Sequence, residues 1–336
     1  MGERSRGRWR DALVISSLLA AAGCSAGPQF YDLDQFVNLV IDDLCRAQVA
    51  CNDMPDMETC LATTKIEPNY LATLKQDIAS GKVRYDGAKA TACADLLHRL
   101  YGAECSQAAL AAVPDRNSTV CDQVFTGTVA IGGACFFSED CAGGGSCVPS
   151  DLTCSRSLQC CPGTCQANTT TTVPVGGSCA SGEICAGDSY CDTSVSGVAG
   201  TCKLPTAGDG AACSAAIPCV APLYCDLDSG TGMGTCRRPA ATGGACSTSV
   251  AFSSCDDGRD YCDQLTVTCT RRVAPGGDCA SGQTCVGYTE CMGSTCVAQP
   301  KPGEACSTNG PSCLGTVLCD AASSTCKVVP VGGACM

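Results

Sequence analysis

Three patterns of apolar and polar positions follow one another along the chain. Residues 12–22 (ALVISSLLAAA) form a largely apolar run without charges. From Asp34, apolar residues recur at helical spacing: Phe36, Val37, Val40, Ile41, Leu44 and Cys51, with Asp42, Asp43 and Arg46 between them. Beyond residue 125 both helical and strand periodicity fade, and cysteine becomes the recurrent apolar residue.

The helical pattern breaks at Asn52 to Pro55 and resumes as a short helix through Met57, Cys60 and Leu61. Pro68 opens a further helix with Leu71, Leu74 and Ile78 on one face and Gly81 as its stop. Val83 to Tyr85 reads as a brief extended piece. Asp86 caps a helix over Ala88 to Tyr101, with Cys93, Leu96, Leu97 and Leu100 on one face and Gly102 as the stop. A short alanine-rich helix near Ala108 to Ala112 follows. Cys45, Cys51, Cys60, Cys93, Cys105 and Cys121 staple this domain, and six cysteines allow fifteen pairings. Cys93 lies on an apolar stripe and is expected to tie its helix to another.

Downstream, one unit repeats. Cys179, Cys185, Cys191 and Cys202 reappear as Cys213, Cys219, Cys225 and Cys236, then as Cys246, Cys255, Cys262 and Cys269. They return as Cys279, Cys285, Cys291 and Cys296 and as Cys306, Cys313, Cys319 and Cys326, and Cys335 opens a further set. Opening cysteines from Cys179 onward lie 34, 33, 33, 27 and 29 residues apart, the period of an array of supersecondary units. A glycine stands three residues before each opening cysteine (Gly132, Gly176, Gly210, Gly243, Gly276, Gly303, Gly332), as a turn with positive φ requires. Asp192, Asp226, Asp263 and Asp320 follow third cysteines and suit turn caps better than calcium ligands, which come in dense oxygen runs. The first unit is irregular, with Cys135, Cys141, Cys147, Cys154, Cys160, Cys161 and Cys165; Thr164-Cys165 and Thr153-Cys154 both fit its close.

A unit of about 30 residues buries too little apolar surface to offset roughly 1.5 kcal/mol of ordering entropy per residue. Two cross-links, each typically about 2–4 kcal/mol, close that gap. Two frames for the bridges are open. Units beginning at their own Gly-Gly-x-Cys leave Cys335 an orphan. Units that each borrow the next opening cysteine end on Cys313, Cys319, Cys326 and Cys335, pass Cys135 to the helical domain, and let Cys179 close the irregular unit. This second, favoured frame predicts bridges backwards across the joints and a stiff rod.

Composition narrows the class. Thirty-five cysteines in 336 residues mark a disulfide scaffold made in an oxidising compartment. The net charge of −12 argues against nucleic acid, which requires clustered lysine and arginine. Zinc and redox sites need Cys-x2-Cys pairs, which are absent, and the one histidine, His98, lies outside the array. No phosphate loop, Ser/His/Asp set or metal-binding histidine pair occurs, so catalytic, cofactor and metal sites are all expected to be none. A tryptophan-free chain beyond Trp9 also removes indole stacking on sugars.

The start of the chain adds a location. A basic segment (Arg4, Arg6, Arg8, Arg10) precedes the apolar run of eleven, which is too short to span a bilayer and ends Ala20-Ala21-Ala22-Gly23-Cys24. This resembles the lipobox of bacterial lipoproteins, with Ala21 where leucine is commonest. The resemblance implies cleavage before Cys24, lipid on Cys24, and, with Ser25 following, an outer-membrane destination. Removing Cys24 leaves 34 cysteines, an even number. An ordinary secretory signal is the alternative. Separately, the cysteine spacing with a tyrosine before the third cysteine (Tyr190, Tyr224, Tyr261), and the stretch Cys135-Phe-Phe-Ser-Glu-Asp-Cys141, resemble the Dickkopf N-terminal cysteine-rich domain. That implies a small extracellular module that binds protein partners.

The chain is thus read as a signal peptide over 1–23, a tether over 24–33, a small disulfide-stapled α-helical domain over 34–125, and a disulfide-rich array of about six repeats of short strands and turns over 126–336. The expected function is non-enzymatic: a lipid-anchored envelope protein whose rod contacts a protein or surface polymer. A protease inhibitor, with a bait loop such as Asp226 to Thr235, is the alternative.

Overall fold

The computed structural model describes residues 30–335 apart from 65–67, 104, 155–159, 169–171, 181–182, 194–198, 215, 229, 248–253, 308, 316 and 329–333. The leader, Cys24 and Gly332 lie outside the described residues.

Five helices build the first part: α1 (Leu33–Ala50), α2 (Met57–Thr63), α3 (Pro68–Ser80), α4 (Gly87–Tyr101) and α5 (Gln107–Ala111). Local chemistry sets their starts. Asp32 and Gln35 form a capping box on α1, Asp56 accepts from Thr59 N–H at 2.7 Å on α2, and Asp86 accepts from Ala88 and Lys89 N–H on α4. α1 packs on α4 through Phe36, Val37, Ala90, Cys93 and Ala94, and Phe125 meets Phe36 edge-on at 6.3 Å. Phe125 belongs to β2 (Phe125–Gly127), which pairs antiparallel with β1 (Val83–Tyr85), so this strand straddles the 125/126 division read from sequence.

The six cysteines of this part pair among themselves as Cys45–Cys60, Cys51–Cys105 and Cys93–Cys121. Cys93 ties α4 to the short 3₁₀ turn Cys121–Gln123 rather than to another full helix. That turn delivers the chain into β2 beside the core.

Each array unit repeats one construction. The strand with the third cysteine pairs antiparallel with the strand carrying the fourth, placing the two cysteines opposite each other: Cys147↔Cys165, Cys191↔Cys202, Cys225↔Cys236, Cys262↔Cys269, Cys291↔Cys296 and Cys319↔Cys326. The segment with the first cysteine pairs on the other side of the fourth-cysteine strand, which is therefore central. The threonine before each fourth cysteine sits in that centre, where a β-branched residue packs well. The opening glycines turn the chain at φ from +77° to +88°, and each donates its N–H to the fourth cysteine's carbonyl at 2.7–2.8 Å.

Two bridges lock the unit, first cysteine to third and second to fourth. In the second unit these are Cys179–Cys191 and Cys185–Cys202, and in the third Cys213–Cys225 and Cys219–Cys236. The next three follow suit: Cys246–Cys262 and Cys255–Cys269, Cys279–Cys291 and Cys285–Cys296, Cys306–Cys319 and Cys313–Cys326. The irregular first unit closes at Cys165 (Cys135–Cys147, Cys141–Cys165), and Cys154–Cys161 pins an inserted loop. First-to-third loops of 12–16 residues are each worth about 3 kcal/mol by chain entropy. The buried core of a unit is little more than its four half-cystines, with one small residue such as Val173 or Ala207 beside them.

The first-to-third bridge must cross the central strand, which dictates the residue two before the fourth cysteine. In the first three units this is Gly163, Gly200 and Gly234, where an added Cβ would lie 2.6–3.0 Å from a bridge sulfur. In the last three it is Val267, Ser294 and Ser324, held at φ +52°, +77° and +50°. Glycine leaves room for the sulfur; in the others the left-handed conformation turns the side chain away from the extended path.

These pairings overturn the borrowed-cysteine frame. Each opening cysteine stays within its own unit, because the third cysteine lies across a single strand from it. Cys135 does not join the helical domain, and Cys179 does not close the first unit. Cys335 is neither orphan nor part of the sixth unit but bonds Cys160, 175 residues earlier. With the array's end tied to its beginning, a ring replaces the expected rod. In a chain without other links such a closure is worth about 5 kcal/mol, and less here because the intervening units are already looped.

Gly234→Ala puts a Cβ 2.4 Å from the Asp226 carbonyl and 3.0 Å from Cys225 Sγ. The variant is expected to lose roughly 1–3 kcal/mol in the third unit. Hydrogen exchange of the 224–227 and 233–237 strand amides checks this; unchanged protection would show that the crossing imposes no such constraint.

Candidate functional site

The ring is threaded around the helical domain, and the seam between them is built from one repeated position. In most units the turn just after the second cysteine faces the helices. In the second unit Gly187 lies against Asn117 and Asp188 pairs with Arg116. In the fourth, Gly258 N–H donates to Cys105 O at 2.7 Å; in the fifth, Gly287 N–H donates to Asn52 O at 2.9 Å; in the sixth, Gly315 abuts Thr63. A Cβ at Gly287 would stand 2.7 Å from Asp53 Cα, so the small residue is a condition of contact. This Cys-x-Gly spacing (Cys141-Ala-Gly143, Cys185-Ala-Gly187, Cys285-Val-Gly287, Cys313-Leu-Gly315) stands in the sequence but has no meaning there until a docking surface is known.

The fourth unit grips hardest. Asp256 Oδ1 accepts from Ala108 N–H at 2.8 Å, both of its oxygens accept from Ser106 Oγ, and its carbonyl accepts from Gln107 N–H at 2.9 Å. A residue 150 positions away thus caps α5 alongside its own Ser106. Asp257 accepts from Arg259 and Arg271, and the Arg259 hydrogen bonds above all hold its carboxyl well below the usual carboxylate range. Arg272, with a side chain only 15% exposed, donates to Asp53 Oδ1 at 2.8 Å, Cys51 O at 2.9 Å and Gly258 O at 2.7 Å. From the sixth unit Lys301 reaches Asp56 at 2.7 Å and, with Thr59 N–H, lowers that carboxyl to about 2.

The scaffold cysteines named from sequence are brought together as bridges in their own units. Groups of three sulfurs lie within 4.8 Å of one another, as in Cys179, Cys185 and Cys202, because two bridges cross there; all are bonded to sulfur. Asp263 caps its hairpin turn, accepting from Leu265 N–H; Asp192 and Asp226 pair with Lys203 and Arg237 across the hairpin; and Asp320 does both, accepting from Ala322 N–H and pairing with Lys327. His98 is exposed on α4, its Nδ1 3.0 Å from the Asp43 carboxylate. In the Asp226 to Thr235 loop, Asp228 accepts from Gly230 and Thr231 N–H and Met233 is 47% exposed.

A cleft of about 1090 Å³ opens where the first unit meets β2 and α4, lined by Lys89, Asp122, Phe125, Glu139, Gly144 and Asn168. Elsewhere the rim exposes apolar side chains, among them Leu152 at 84% and Leu265 at 72%. Among the described residues no helix is long and apolar enough to cross a membrane.

Comparison with family models, with curated proteins and with solved structures finds no match for this chain.

Arg272→Ala strips the partner from Asp53 and from two carbonyls in the seam and is expected to lower local stability by about 2–4 kcal/mol. Amide exchange at Gly258 and Gly287 reads the loss. Unaltered rates at both would show that the arginine does not hold the seam.

Proposed function

We propose that the protein is a non-enzymatic, lipid-anchored component of a bacterial cell envelope, carried to the outer membrane and displaying a disulfide-closed ring that binds a protein or a surface polymer. The observation that carries this reading is the bookkeeping of sulfur. Seventeen bridges join every cysteine from Cys45 to Cys335, so of the 35 in the chain only Cys24 has no claim on another described cysteine. Cys24 is also the residue that a lipobox-type leader would acylate, and several acyl chains give stable anchoring where one is reversible.

Seventeen bridges require an oxidising compartment, which supports a place outside the cytoplasm. The ring supports binding rather than turnover: rigid hairpins around a fixed hub present preformed loops with little ordering cost on association. The cleft beside Phe125 and the exposed rim residues Leu152 and Leu265 offer the contact surfaces. An unmodified secreted form is the reading that the experiment separates.

In cells, inhibition of lipoprotein signal peptidase is expected to accumulate the uncleaved precursor, and Cys24→Ser to abolish incorporation of labelled palmitate. A mature form recovered unacylated from the soluble fraction of untreated cells would contradict the anchor.

A further inference from the structure

Where α3 meets the first unit, the seam is polar and buried. Thr73 on α3 is fully buried and accepts the N–H of Cys335 at 2.8 Å, so the ring's last described residue ends on this helix. One turn further along α3 lies Asp77, 3% exposed; opposite it, from the 3₁₀ turn Ser138–Asp140 of the first unit, lies Asp140, 1% exposed. Sequence reading assigned this face to Leu71, Leu74 and Ile78; of these Leu74 is buried, but Thr73 and Asp77 flank it.

Asp140 stands near enough to Asp77 to act on it by charge and by hydrogen bonding. Asp140 Oδ2 accepts from Phe136 N–H at 2.9 Å and Phe137 N–H at 3.3 Å. Asp77 Oδ1 lies 3.2 Å from Lys82 Nζ, and its Oδ2 is buried with no hydrogen-bond partner. Beside them Tyr70 donates to Glu139 Oε1 at 2.7 Å and stacks edge-on with Phe137; burial and then the Glu139 charge push its phenol far up, leaving it a fixed donor. The charged and titratable neighbours of Asp77 are thus Asp140 and Glu139 across the seam, Tyr70 on α3 itself and Lys82 on the edge.

Two ionised carboxylates are both acceptors and leave the buried oxygen orphaned, besides repelling each other. A single proton between them turns one into a donor and removes both penalties. A metal ion would compete with the Lys82 ammonium already placed at Asp77. We propose that Asp77 and Asp140 form a proton-operated latch between the helical hub and the ring, closed when the pair holds one proton and loosened when it holds none.

Burial, then the Asp140 charge, raises the Asp77 carboxyl above its ordinary 3.8, with Lys82 opposing. The folded molecule therefore binds this proton more tightly than the unfolded chain. The latch is at full strength below the ordinary value and weakens as pH rises through the elevated one, by up to tenfold in opening constant per pH unit. Asp56 runs the other way: lowered to about 2, its contact with Lys301 is complete above 3.8 and is lost only as pH falls through about 2. That leaves the range above about pH 4 to the latch.

The test is NMR-detected hydrogen exchange on the intact protein over that range, followed at amides whose bonds form the latch region: Thr128 N–H to Lys82 O, Phe136 N–H to Asp140, and Cys335 N–H to Thr73. Protection factors at these sites are expected to fall as pH rises while Ala94, in the helical core, holds steady. Asp77→Asn supplies a permanent donor and should flatten the profile at the closed level. Lys82→Met, which removes only the opposing ammonium, should move the midpoint upward. A flat wild-type profile, an unchanged slope in Asp77→Asn, or a midpoint lowered in Lys82→Met would each overturn the proposal. So would recovery of protection at high pH on adding calcium chloride, since the pair would then hold a metal ion.

Discussion

A disulfide that must step over a β-strand governs the array. The first and third cysteines of each unit lie on either side of the strand carrying the fourth, and their bridge passes across its face. Gly163, Gly200 and Gly234 make room in the first three units, and a left-handed Val267, Ser294 or Ser324 in the last three. The second bridge, from the second cysteine to the fourth, fixes the hub-facing turn to that same central strand. Fold, register and docking geometry thus follow from two sulfur pairs that also serve as the unit's interior. Segments of about 30 residues could not supply such an interior from aliphatic side chains.

With each unit rigid, docking requires few contacts. One glycine or aspartate after the second cysteine suffices to seat most units against the helices, and Arg272 and Lys301 reinforce the joints near Cys51 to Asp56. The helical part in turn depends on the ring. Its α5 receives a cap from Asp256, and α3 buries Thr73 and Asp77 against the first unit and the ring's end. Cys160–Cys335 then fastens the circle. A ring seated on a core explains why a chain of short hairpins with no common sheet holds one shape.

The helices were legible because their signals are local: Asp86 before α4, Gly81 after α3, and the three- and four-residue apolar spacing of α1 all act within a turn or two. The repeat and its glycine turn were legible for the same reason. Bridge partners were not, since equal spacings fit several pairings and only the strand order, with the fourth-cysteine strand in the middle, selects one. The ring was hidden too: its evidence lies in Cys-x-Gly turns and in Asp256, single residues whose partners lie from about 70 to about 250 positions away. Thr73 and Asp77 broke the expected apolar face of α3 because that helix is covered on a second side by the array.

A non-reducing peptide map of the mature protein tests the central claim most directly. The account predicts first-to-third and second-to-fourth bridges in every regular unit, Cys179–Cys191 with Cys185–Cys202 being the pattern, and one long-range link between Cys160 and Cys335. Bridges joining neighbouring units, or Cys335 bonded within the sixth unit, would contradict it.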